Sequence, residues 1–105
     1  MEKTINYLVY DIETLANCFI VCFLNIQTNQ KKSYVIHKDK NEGVNLYQFM
    51  CNMKEYRWVS FNGLNFDSQI MHMIYEKRGV ITAEEIYQKA QTIINLPDDK
   101  KYESL

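Results

Sequence analysis

Three carboxylates in this chain stand where acids can do metal chemistry. Asp11 and Glu13 close an apolar run, Tyr7-Leu8-Val9-Tyr10-Asp11-Ile12-Glu13-Thr14, with one residue between them. On a strand, positions i and i+2 project to the same face, so the two acids stand side by side. Like charges that close repel each other unless a cation or a shared proton lies between them. Mg²⁺ and Mn²⁺ prefer oxygen ligands and are the natural occupants. Asp67 is the third acid. It follows the turn sequence Asn62-Gly63-Leu64-Asn65, which puts it in the first turn of a helix just past the end of a strand, where α/β sheets gather their active groups. If the two strands are sheet neighbours, ~5 Å apart, the three carboxylates converge on a pocket for one or two divalent cations. That is equipment for phosphodiester hydrolysis.

The elements that must position these acids follow from periodicity. Tyr7 to Thr14 reads as the first strand, and Cys18 to Ile26, rich in β-branched and aromatic residues, as the second, apolar on both faces. Cys18 and Cys22 read as its inward positions. Gln27 to Lys31 is a hairpin turn, and Lys32 to His37 is a third, more polar strand expected near an edge, completing an antiparallel meander. The charged run Lys38 to Glu42 is expected to be a solvated loop. Leu46, Phe49, Met50 and Met53 repeat at helical spacing. Arg57 to Phe61 is a short fourth strand. Asn65 is placed to cap a helix with Phe66, Ile70, Met73 and Ile74 on one face and Gly79 as its stop. Thr82 and Glu85 have capping-box spacing, and Ile86, Ala90, Ile93 and Ile94 predict a last helix that ends before Pro97. The order is β-β-β-α-β-α-α, an α/β class, read as a single domain over residues 1–105.

Composition narrows the function classes. The chain is 47% apolar and 24% charged, ordinary for a globular domain. A net charge of −1 gives no basic excess for gripping a long duplex, but an enzyme holding a few nucleotides at one end needs none. Cys18, Cys22 and Cys51 form no Cys-x-x-Cys pair, and the N-terminus lacks a signal-like pattern, so a reducing, cytoplasmic compartment is expected. The longest apolar run, Cys18 to Leu24, is far short of the ~20 residues a membrane helix needs, and no membrane partner is expected. His37 and His72 lie in no metal-ligand pattern and read as structural.

Asp11-Ile12-Glu13-Thr14 after an apolar strand resembles the first motif of the DnaQ-like (DEDD) 3′–5′ exonucleases. Asn62-Gly63-Leu64-Asn65-Phe66-Asp67 is similar to the Asn-Gly-x-x-Phe-Asp motif of the proofreading domain of family B DNA polymerases, of the kind common in bacteriophages. The resemblance covers roughly residues 5–78. It implies a ribonuclease H-like fold, hydrolysis at the single-stranded 3′ end of DNA or RNA, and a two-metal site of Mg²⁺ or Mn²⁺. Asp11 and Glu13 would then hold the metal that activates water, and Asp67 the one that stabilises the leaving 3′ oxygen. Asn62 and Phe66 would contact the terminal nucleotides, and Thr14 and Leu15 would touch the 3′ end. A phage-encoded protein would act in the host cytoplasm.

The chain departs from the family pattern in its last third. Those exonucleases use a fourth acid on a late helix, and here the only late aspartates are Asp98 and Asp99. The final strand of the fold is also missing from the pattern, so a partial version of the domain is expected, with the remainder of a polymerase or nuclease as a candidate partner. The alternative reading is a catalytically incomplete module, derived from such a domain, that holds a nucleic-acid end or a protein.

Overall fold

A computed structural model describes the backbone of residues 6–60 and 65–94 and the side chains of 6–60 and 67–93. In chain order the elements are β1 (Tyr7–Leu15), β2 (Cys18–Asn25), β3 (Gln30–His37), β4 (Lys40–Asn41), α1 (Gly43–Asn52), β5 (Arg57–Ser60), α2 (Asn65–Glu76) and α3 (Ala83–Ile94). One mixed sheet has the strand order β4-β3-β2-β1-β5. The hairpins β1-β2 and β2-β3 are antiparallel, whereas β5 returns through α1 to lie parallel to β1. The strand that carries the acid pair and the strand that leads to Asp67 are therefore neighbours. The polar third strand is nearly an edge, and the run expected to be a loop supplies the two-residue β4 outside it. This correction has a local cause: the Glu42 carboxylate accepts a 2.9 Å hydrogen bond from the Val35 amide, folding the charged segment back along β3.

The sheet is covered on one side. Leu8, Tyr10 and Ile12 alternate inward from β1, opposite Phe19, Val21 and Phe23 of β2 and Tyr34 and Ile36 of β3. α3 lies on β1 and β2, α1 on β3, and α2 packs beside both helices. Leu46 and Met50 of α1, Ile70, Met71 and Ile74 of α2, and Ile86, Ala90 and Ile93 of α3 complete this core. Cys18 and Cys22 are not inward: Cys22 is exposed and Cys18 half-buried, on the other face. A strand apolar on both sides gives no local signal of which face is covered. Its register with β1 decides, because paired residues share a face.

The end of α2 and the start of α3 obey their local sequence. Glu85 N–H donates to Thr82 Oγ1 at 3.2 Å while Thr82 N–H donates to Glu85 Oε1 at 3.3 Å, a reciprocal box at the start of α3. At the end of α2, Arg78 and Gly79 adopt φ of 54° and 77°, and the Gly79 amide reaches back to the Ile74 carbonyl at 3.0 Å, closing the turn. Gly79 also meets Gly43 backbone to backbone at the start of α1, where a Cβ on either glycine would strike the other's carbonyl. Asn41 ties the same junction together, accepting from Gly43 N–H and donating to the Ile81 carbonyl, both at 2.9 Å. Gly43→Ala is expected to lower unfolding free energy by about 3 kcal/mol, measured by urea denaturation, because backbone cannot move aside as a side-chain end can.

Candidate functional site

Asp67 is the one buried acid among the described residues, 3% exposed in the first turn of α2. Its position follows from the short path between the end of β5 and the start of α2, and its orientation from Ser60, the last residue of β5. The Ser60 hydroxyl donates to Asp67 Oδ2 at 2.7 Å. Burial raises the Asp67 pKa above its usual 3.8, the Ser60 hydrogen bond works against that rise, and the negative charge of Asp11 adds to it. The same carboxylate acts on Tyr10, whose hydroxyl is pushed up to about 12 by burial and then by the Asp67 charge. Tyr10 is therefore a neutral wall of the site at physiological pH.

Asp11 and Asp67 stand on different faces of the sheet. Ser60 is in register with Tyr10, so Asp67 descends on the helix-covered face. Asp11, next to Tyr10, leaves β1 on the opposite face beside Cys22, and Glu13 follows it there beside Ile20, exposed. Asp11 is the β1 residue just past the Tyr10–Ser60 pair that ends β5, and its charge still bears on Asp67. Thr14 is half-buried and Leu15 exposed at the end of β1. Among the described residues no group of three or more His, Cys, Asp or Glu side chains stands at metal-holding spacing. Asn62, Asp98 and Asp99 lie outside the described residues, as do the side chains of Asn65, Phe66 and Ile94. His37 accepts from the Asp39 amide at 3.1 Å, and His72 pairs with Glu76 on the surface of α2, both apart from these carboxylates in role.

Ser60 was not singled out by the sequence, although a hydroxyl at the last position of a strand, seven residues before an acid that begins the next helix, is a usable signal. Because the hydroxyl fixes the carboxylate that it touches, Ser60→Ala is expected to reduce any metal-dependent turnover about 10- to 100-fold, as loss of an outer-shell partner does. The check is initial rate against cation concentration.

The Asp11 charge is one cause of the raised Asp67 pKa, a repulsion of the kind that a hard divalent cation relieves. Mg²⁺ takes only one or two carboxylates and keeps waters in its other positions, so a pair of acids rather than a group of three would be enough for it. Among the described residues no helix is long and apolar enough to cross a membrane. Comparison of the chain with family models, curated proteins and solved structures yields no match.

Proposed function

We propose that this chain is a metal-dependent 3′–5′ exonuclease domain of the ribonuclease H-like, DnaQ-like kind, acting on the single-stranded 3′ end of DNA. What supports the reading is the influence of the Asp11 charge on buried Asp67, with Asp11 standing on β1 just past the Tyr10–Ser60 pair that ends the parallel pairing with β5. Asp11, Glu13 and Asp67 would hold Mg²⁺ or Mn²⁺ in a two-metal arrangement, which when bound activates water and neutralises charge on the leaving oxygen. Ser60 holds the Asp67 carboxylate in one orientation. Tyr10, uncharged, keeps one side of the site apolar and excludes water there. Thr14 and Leu15 would meet the terminal nucleotide, and Asn62 and Phe66 take the roles that the motif resemblance gives them. The three free thiols suit a reducing, cytoplasmic setting, phage-infected host cytoplasm included.

The test is a 5′-labelled single-stranded oligonucleotide incubated with Mg²⁺ or Mn²⁺, beside Asp11→Ala. Stepwise shortening from the 3′ end by the wild type alone is the expected outcome. No shortening with either cation, or equal shortening by the variant, overturns the reading. The absence of a three-carboxylate group among the described residues favours a second reading, a module that holds the strand without cutting it. A strand bound in the presence of Mn²⁺ but left at full length is its signature. An RNA strand run in parallel decides the sugar preference.

A further inference from the structure

We propose that the cavity between α1, β5 and α2 takes one nucleotide of the single strand, its base against Trp58 and Tyr75 and its phosphate at Lys54. The inference rests on the exonuclease reading for the identity of the strand, and on the cavity itself for the site. The cavity holds about 340 Å³. That is at the lower end of small-ligand pockets, so it suits a single nucleotide rather than a longer piece.

Its chemistry is that of a stacking site with a cation at the rim. Tyr10, Trp58 and Tyr75 contribute three rings to the lining, and Tyr10 meets Trp58 edge-on at 6.0 Å between centroids. The indole N–H of Trp58 is already given to the Met53 carbonyl at 2.9 Å. The indole is thus anchored through its polar edge and offers a visitor its apolar surface, which favours stacking over reading of a base edge. Stacking of this kind accepts any base. Lys54 is fully exposed on the turn after α1, with its Nζ 5.7 Å from the Tyr75 ring centre. The ammonium covers that ring and hydrogen-bonds the Tyr75 side chain, so in turning to a phosphate it uncovers the ring for a base.

Position links the cavity to the carboxylates. Ser68, in the lining, follows Asp67 directly, and Tyr10 precedes Asp11. From there the lining runs down α2 through His72 to Tyr75, about 12 Å along the axis from Asp67 at the usual helical rise. A strand whose end lies at Asp67 passes over this cavity with its next residues.

Trp58 is the chain's only tryptophan, so tryptophan emission comes from a wall of this cavity. The experiment titrates the full chain with a short oligothymidylate in metal-free buffer containing EDTA, following Trp58 fluorescence and the anisotropy of a dye on the strand. An abasic strand of equal length serves as the comparison. Quenching by the thymidylate and not by the abasic strand is expected. Tyr75→Leu should weaken binding by about tenfold or more, in keeping with the measured worth of one stacked base. Lys54→Gln, a change at a fully exposed position, should reduce the slope of log K against log salt by about 0.7, one phosphate contact. Anisotropy that rises while Trp58 stays silent, or equal binding of the abasic strand, overturns the proposal. Shortening in Mn²⁺ with a silent Trp58 removes the cavity and leaves the exonuclease reading standing. Quenching without shortening in Mn²⁺ keeps the cavity and removes that reading.

Discussion

Asp67→Asn is expected to abolish metal-dependent shortening and, in metal-free buffer at pH 7, to raise the melting temperature. Both effects have one cause. Burial and the Asp11 charge hold the Asp67 pKa above its unfolded value despite the Ser60 hydrogen bond. For a group raised on folding, the stabilising contribution is complete below the unfolded pKa, near 3.8, and is lost as pH rises through the folded value. At pH 7 the wild type therefore carries a buried charge that opposes folding. Asparagine keeps the acceptor for Ser60 and cannot ionise, so the variant lacks that cost. Calorimetric melting from pH 3 to pH 8 should show the two proteins converging at the acid end and the variant ahead at neutral pH. Saturating Mn²⁺ should reverse the order. A cation at a hundredfold excess over its Kd stabilises the wild type by about 2.7 kcal/mol, and the variant gains less because it offers one carboxylate fewer.

Phe23→Ala is expected to cost about 3–5 kcal/mol, the range for removing a buried aromatic ring. A domain of this size holds about 5–15 kcal/mol in total, so the variant stands close to global unfolding at 37 °C. The reason lies in its neighbours. Phe23 is 2% exposed in the middle of β2, with ring centres of Phe49 at 4.7 Å, Trp58 at 5.4 Å, Tyr10 at 6.2 Å and Tyr34 at 6.3 Å. These rings come from α1, β5, β1 and β3, so one side chain joins four elements and no single one can close the gap. Urea denaturation measures the loss, and Trp58 emission, in direct ring contact with Phe23, should shift in the same transition.

What was legible in the sequence was local. The acid pair on β1 follows from an alternation of two, the face of α1 from spacings of three and four, and the start of α3 from two residues that bond each other. The parallel pairing of β1 with β5 could be anticipated, since a strand that returns through a helix comes back parallel. The face that the helices cover could not be read in β2, which is apolar on both sides; Phe19, Val21 and Phe23 face inward only because their partners on β1 do. β4 was hidden within a charged run, held by a contact between Glu42 and Val35. Ser60 offered only the weak signal of a hydroxyl at a strand end, because its importance lies in the tertiary contact with Asp67. The neighbouring of the two acid-bearing strands was legible as a possibility of topology, whereas the placing of Asp11 and Asp67 on opposite faces of the sheet follows from the register of Ser60 with Tyr10.

The most direct measurement is of the carboxylates themselves: carboxyl-carbon NMR of the aspartates and glutamates during titration with Mn²⁺, whose unpaired electrons broaden nearby resonances. Selective broadening of Asp11, Asp67 and Glu13 at low Mn²⁺, abolished by Asp67→Asn, is the result expected of a shared divalent-cation site. Broadening spread evenly over the thirteen acidic side chains, or selective broadening that survives Asp67→Asn unchanged, would contradict it.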